Sequence, residues 1–221
     1  MKFRILVLLS VLLPFLVSAE EKQSAFRSLN ADDGLTHNAV LAILQDRMGF
    51  MWFGTKDGLN RYDGTEIRII AVEDAIPGNN YITTLCEDGD GCIWMGTDAG
   101  VCIYDPGTER AHRFLERSDD GSTISGNIAN IVMAPDSTIW ICGGNQGFFR
   151  YDPAIRKLTH IITDKTGTRT YTARNICFTP QGIACIALDD GNIYLSEDGL
   201  ESVAPLFSGD ATEAFRDLFI N

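Results

Sequence analysis

Trp52-Phe53-Gly54-Thr55-x-x-Gly58-x-x-x-Tyr62-Asp63 returns as Trp94-Met95-Gly96-Thr97-x-x-Gly100-x-x-x-Tyr104-Asp105. A third copy, loosened by one inserted residue, runs from Trp140-Ile141-Cys142-Gly143 through Gly147 to Tyr151-Asp152. A fourth, worn copy spans Ile183 to Leu195, with Cys185 at the tryptophan position, Gly191 at the turn and Ser196 in place of the aspartate. The tryptophans stand 42 and then 46 residues apart. A repeat of that period, with short strands inside each unit, marks a β-propeller. The expected fold is all-β: a partial propeller of about four and a half four-stranded antiparallel blades.

Each unit reads as four short strands separated by Gly/Asp-rich turns. Blades are expected over residues 38–72, 80–115, 127–162 and 174–206, with the start of a fifth over 214–221. An asparagine opens each unit (Asn38, Asn80, Asn127, Asn175), and its recurrence points to a backbone-bonding role in the blade. Gly58, Gly100 and Gly147 fall between two strands, where a tight hairpin needs a positive φ. The tryptophans read as wedges between neighbouring blades, each worth about 2–3 kcal/mol or more by buried area. Asp46 and Asp88, six residues ahead of their tryptophans, read as turn formers whose side chains bond their own backbone.

The two ends differ from this register. Lys2 and Arg4, an apolar run from Ile5 to Val17 and the small residues Val17-Ser18-Ala19 have the layout of a secretory signal peptide over 1–19. About 13 apolar residues fall short of the ~20 that span a bilayer. Phe26 to Asn30 parallels the outer strand near Phe114 and is expected to be a strand without a blade of its own. The C-terminal half blade reads as an interruption within a longer protein.

Eighteen basic residues, less Lys2 and Arg4, leave 16 against 30 acidic ones in the mature chain, a net charge of −14. A surface this acidic repels polyphosphate, which argues against nucleic acid and anionic membranes as partners. The six cysteines follow the repeat: Cys86 and Cys177 share one position, Cys185 takes the tryptophan's, and the expected role is that of small buried apolar residues. Cys86 and Cys92 flank one hairpin turn, where a disulfide is the alternative. Neither a zinc-site spacing nor a nucleotide-binding loop is present, so no metal and no cofactor is expected.

The pattern N-x-V-x-x-I-x-x-D followed by W-x-G-T-x-x-G-L-x-R-Y-D, here Asn38, Val40, Ile43, Asp46, Trp52, Gly54, Thr55, Gly58, Leu59, Arg61, Tyr62 and Asp63, closely resembles the two-component regulator propeller repeat. The opening residues through Asp33-Gly34-Leu35 resemble the start of the periplasmic region of hybrid two-component sensors from Bacteroidota. That resemblance implies a periplasmic, ligand-sensing part of an inner-membrane receptor. It also implies an oligosaccharide ligand, contacts to the rest of the propeller and to sensor domains downstream, a homodimer in the full-length protein, and a histidine kinase beyond this chain. The chain itself is expected not to be an enzyme. A propeller-fold carbohydrate-active hydrolase or lyase and a secreted interaction scaffold are the competing readings.

In a four-strand meander, the loops joining strands two and three share a face with the loops joining consecutive blades. On that face the polar residues that do not recur from unit to unit are the expected ligand contacts: His37, Lys56, Asp57, Asp98, Gln146 and Arg174.

Overall fold

The computed structural model of the chain describes residues 28–72, 80–162, 172–200 and 204–205. The leader pattern, Phe26 and Arg27, and the expected fifth-blade start lie outside the described residues. Among these residues the structure holds sixteen strands and one short 3-10 turn, Ala31–Asp33. Blade 1 comprises β1 (Val40–Gln45), β2 (Met51–Thr55), β3 (Gly58–Tyr62) and β4 (Ile67–Ile70). Blade 2 comprises β5 (Ile82–Glu87), β6 (Ile93–Thr97), β7 (Gly100–Asp105) and β8 (Arg110–Arg113). Blade 3 holds β9 (Asn130–Met133), β10 (Ile139–Cys142), β11 (Phe148–Asp152) and β12 (Lys157–Ile161). Blade 4 holds β13 (Ala173–Phe178), β14 (Ala184–Leu188), β15 (Ile193–Ser196) and β16 (Ala204–Pro205). Each blade is an antiparallel meander in chain order, and β1, β5, β9 and β13 pack in series as the shared seam.

The core lies between blades. Blades 1 and 2 share a cluster of Trp52, Leu59, Ile70, Ile82, Met95 and Tyr104, and equivalent clusters join blades 2 to 3 and 3 to 4. The wedge reading of the tryptophans holds: the Trp52 ring lies 5.0 Å from Tyr104 of the next blade, and Trp94 lies 5.6 Å from Tyr151. Their polar ends are satisfied by the repeat itself. Asp46 Oδ1 accepts from the Met48 and Phe50 amides, while its Oδ2 accepts from the Trp52 indole at 2.7 Å. Asp88 does the same for Asp90, Cys92 and, at 2.8 Å, Trp94. One carboxylate thus closes the turn and fixes the indole, which buries the ring without leaving its N–H unsatisfied.

The Gly-Thr pair after each tryptophan has two separate duties. A Cβ on Gly96 would lie 2.5 Å from Thr84 Cγ2 and 2.8 Å from Ile128 Cγ2, because the isoleucine of blade 3 lies directly on that backbone. Thr97 Oγ1 donates to the Gly100 carbonyl (2.9 Å) and accepts from the Ala99 amide (3.0 Å), strapping the two-residue loop. Thr55 repeats this over Gly58 and Asp57. The glycines that follow have φ of 120° at both Gly58 and Gly100, as a tight hairpin requires. In blade 3, register puts buried Cys142 at the Gly96 position, and the residue of the next blade in the same cluster is Ala173 instead of an isoleucine. Volume is moved across the seam, and the interior stays filled.

Four expectations are corrected. Asn175 does not align with Asn38 and Asn80: it lies inside β13 opposite Ala187, at the position of Ala42 and Thr84, because it stands 10 residues ahead of Cys185 where Asn38 and Asn80 stand 14 ahead of their tryptophans. Ser196 pairs with Ala184 and therefore occupies the tyrosine position, leaving Glu197 at that of the aspartate. Ser28 to Asn30 carry no strand; Asn30 instead caps the 3-10 turn, its Oδ1 accepting from the Asp32 amide at 2.7 Å. Cys177 is exposed among the described residues, while Cys86 at the same repeat position is buried against blade 3. All six cysteines are free, Cys86 and Cys92 included, since register sets Cys86 against Trp94.

Candidate functional site

The β2–β3, β6–β7 and β10–β11 loops open on the same face as the chain segments that lead from one blade to the next. Lys56 N–H donates to the Ala39 carbonyl (3.2 Å), and Asn80 Nδ2 donates to Asp57 Oδ1 (3.2 Å), so the blade 1 loop touches both neighbouring entries. Gln146 Oε1 accepts from the Ser125 amide (3.0 Å), while its Nε2 donates to the Thr123 carbonyl (3.2 Å).

Two clefts open along this face. One, of about 280 Å³, lies between blades 1 and 2 and is lined by Asp57, Ile70, Asn80, Ala99 and Arg113 among others. The larger, of about 530 Å³, lies between blades 3 and 4. It is lined by Gly126, Gly143 and Gly144 and by the polar residues Asn127, Asn145, Gln146, Thr172, Arg174 and Asp189. The extra residue in the third repeat, which loosens Gly143 to Gly147, makes one wall of it. That wall is held from behind. His160 stacks on Phe149 with ring centroids 4.4 Å apart, and its ring nitrogens lie 2.8 Å from Asp120 Oδ2 and 2.6 Å from the Gln146 carbonyl oxygen. Hydrogen bonds from the Ser118 hydroxyl, the Ser122 amide and His160 hold the Asp120 carboxyl well below the usual carboxylate range.

The expected contacts divide accordingly. Gln146 and Arg174 meet in the larger cleft and Asp57 lines the smaller one. Arg174 forms an ion pair with Asp189, and Gln146 is held by the Thr123–Ser125 connector while still lining the cleft. Asp98 sits in the exposed β6–β7 loop. Exposed His37 uses Nδ1 to accept from the Ala39 amide (2.8 Å), a local turn bond. Lys56 is exposed at a loop tip and lines neither cleft. Sequence reasoning missed Asp189, Thr172 and Arg113. They belong to different blades or to strand ends, and only the assembled seam brings them beside the loops. Among the described residues no cluster of three or more His, Cys, Asp or Glu side chains is arranged to hold a metal ion.

Residues 34–57 and 76–99 match the sequence model of the two-component regulator propeller. Two of the chain's four repeats are of the two-component regulator type. A histidine kinase of Formosa agariphila is 38% identical over 63 residues, which covers 28% of this chain and 5% of that protein. The extracellular domain of a putative hybrid two-component system from B. thetaiotaomicron superimposes with a TM-score of 0.70 at 25% identity, over 84% of this chain and 27% of that one. A second extracellular domain from the same organism, of a putative one-component system, gives 0.56 at 16% identity over 81% of this chain and 30% of its own, a likeness of fold alone. The chain thus spans about a quarter of the length of the solved chain it matches best in sequence among these. No helix among the described residues is long and apolar enough to cross a membrane.

Proposed function

We propose that this regulator propeller is the ligand-sensing, non-catalytic part of a periplasmic signalling receptor, and that its ligand is a neutral polyhydroxyl compound such as an oligosaccharide. What carries the reading is the coincidence of regulator-type repeats with a cleft of about 530 Å³ lined by uncharged amides, two hydroxyl residues and one ion pair. Asn127, Asn145, Gln146 and Thr172 both donate and accept hydrogen bonds, as recognition of sugar hydroxyls demands. Arg174 and Asp189 neutralise each other, so the cleft does not select an anion. The same pairing leaves Asp189 poorly suited to acid–base work, and no second carboxylate lines the cleft beside it. Ligand bound between blades 3 and 4 alters how they pack, and the change passes to downstream sensor domains and a dimer partner.

The test is calorimetry of the complete exported region against a panel of neutral and anionic oligosaccharides, with a turnover assay on the same panel. Binding of a neutral sugar without turnover, weakened at least tenfold by Arg174→Ala and unchanged by Lys56→Ala, is the expected result. Cleavage of any sugar would replace this reading with a hydrolase or lyase. Silence across the panel would favour an interaction scaffold.

A further inference from the structure

Loss of the tryptophan in the fourth repeat has a chemical consequence. Across the first two strands of each blade, register sets Leu44 opposite Trp52, Cys86 opposite Trp94 and Val132 opposite Trp140; in blade 4 it sets Cys177 opposite Cys185. Thr179 N–H donates to the Ile183 carbonyl (3.0 Å), so two residues along the same ladder Cys177 and Cys185 form a hydrogen-bonded pair. Such pairs hold their Cα atoms about 5.5 Å apart, inside the roughly 4.4–6.8 Å that a disulfide spans. Their Cβ atoms, about 5.5 Å apart in this geometry, must close by roughly 1 Å to reach disulfide distance, so the bond is strained and readily reduced. The Cys177 thiol donates to the Cys185 carbonyl oxygen at 3.8 Å, which keeps its sulfur over the facing residue.

We infer that Cys177 and Cys185 form a reversible dithiol–disulfide couple that reacts with disulfide-class oxidants, Cys177 attacking and Cys185 resolving. Cys177 is the exposed partner. The facing Cys185 thiol can donate to its sulfur and lowers its pKa. The other cysteines are poor competitors: burial pushes Cys86, Cys92 and Cys102 up to about 11, and Cys142 is raised further in the core. In the first step the Cys177 thiolate attacks one sulfur of R–S–S–R; that bond breaks and a thiol R–SH leaves with a solvent proton. The Cys185 thiol is held up chiefly by its hydrogen bond to Cys177, and that hold is lost once Cys177 is a mixed disulfide. Cys185 then gives up its proton, attacks the Cys177 sulfur and expels a second R–SH. The pair loses two electrons and two protons, and the oxidant gains both.

Tryptic cleavage separates this pair from the rest: residues 175–216 hold Cys177 and Cys185, while 69–110 hold Cys86, Cys92 and Cys102. The full chain, reduced and freed of reductant, is exposed to oxidised glutathione in one arm and to an oxidised thioredoxin-fold dithiol protein in the other. It is then alkylated and mapped by mass spectrometry. The expected result is peptide 175–216 lighter by two hydrogens and resistant to alkylation in at least one arm, the faster arm naming the source of the disulfide. Cys185→Ala is expected to accumulate glutathione on Cys177, and Cys177→Ala to take up at least tenfold less on Cys185. The couple is overturned if 175–216 keeps two alkylatable thiols in both arms, if peptide 69–110 oxidises first, or if glutathione persists on Cys177 with Cys185 present.

Discussion

Blades 2 and 4 have the same four strands in the same order, yet they are fastened to their neighbours by different means. In blade 2 an aspartate closes the turn, its free oxygen holds the indole of Trp94, and the ring lies against Phe114 and Tyr151 at 5.1 and 5.6 Å. In blade 4 the aspartate position is Thr179, whose hydroxyl still accepts from the Ile183 amide at 3.2 Å, and the tryptophan position is Cys185. The tyrosine position is Ser196, which bonds Asp198 and the Leu200 amide instead of presenting a ring. The glycine position is Ala187. Acceptor and wedge change together: without an indole to hold, a second carboxylate oxygen has no task, and a threonine suffices for the turn. The ring at the tyrosine position receives the wedge of the preceding blade, and with Ser196 there Trp140 lies against Phe178 instead, at 5.7 Å. Blade 3 lies between the two. It keeps Trp140 but moves the acceptor to the Thr138 hydroxyl at 3.1 Å, itself bonded to Asp136.

The largest expected effect follows from removing the wedge. Trp94 is 2% exposed, and truncating a buried tryptophan to alanine costs about 3–5 kcal/mol. Cys185→Ala, at the same register position but half-buried, is expected to cost no more than about 1 kcal/mol. Urea unfolding of the two variants beside the parent chain measures the gap. A Trp94→Ala loss as small as that of Cys185→Ala would break the comparison and assign the stability of the repeat to its backbone ladders.

Next is the glycine under the neighbouring isoleucine. Gly96→Ala forces its methyl to 2.5 Å from Thr84 Cγ2 and 2.8 Å from Ile128 Cγ2, an overpacking of the kind that costs about 1–3 kcal/mol. The seam between blades 3 and 4 sets Cys142 at this position against Ala173, and Ile128→Ala removes the clashing Cγ2. Gly96→Ala combined with Ile128→Ala is therefore expected to cost less than the two single losses added together. Additivity in this double-mutant cycle would place the cost within blade 2, at Thr84, and not at the seam.

These contrasts also mark how far the sequence could be read. The period, the hairpin glycines and the wedge role of the tryptophans were legible because each repeats, and a repeated residue answers to a geometry that every blade shares. Asp46 and Asp88 were legible as turn formers, since that bond is local. Their second bond, to an indole six residues away, forms only once the hairpin is paired, and turn preference carries no trace of it. Asn175 misled because it matches in residue type and not in distance: it stands 10 residues ahead of the tryptophan position, Asn38 and Asn80 stand 14 ahead. At the candidate site, meander topology was enough to foresee that the β2–β3, β6–β7 and β10–β11 loops share a face with the connectors between blades. The cleft between blades 3 and 4 was not foreseeable, because its polar lining is assembled from Gln146, Thr172, Arg174 and Asp189 across a seam. Nor could sequence show that Gln146 is bonded to the Thr123–Ser125 connector.

The smallest expected effect concerns the turn after the tyrosine, which also separates the early blades from the fourth. Asp63 Oδ1 accepts from the Thr65 amide (2.8 Å), the Thr65 hydroxyl (2.7 Å) and the Glu66 amide (2.7 Å). These bonds favour the ionised carboxylate, the Glu66 amide most of all, and bring its pKa down to about 2 from the ordinary 3.8. Asp105 is lowered in the same sense by the Gly107 amide and the Thr108 hydroxyl. A carboxylate depressed on folding stabilises the native state above its unfolded pKa, and that contribution fades as pH falls toward the folded value. The parent chain should therefore lose more stability than Asp63→Ala between pH 4 and pH 2, and the two urea midpoints should converge at the acid end. Asp63 is exposed, so solvent screening keeps the separation small. Glu197 holds the corresponding position in blade 4, where the turn closes through Ser196 and Asp198 instead. Glu197→Ala is accordingly expected to leave the acid limb of the curve where it was. A convergence as large in that variant as in Asp63→Ala would mean that acid sensitivity reports the net charge of the chain and not the turn of the early repeats.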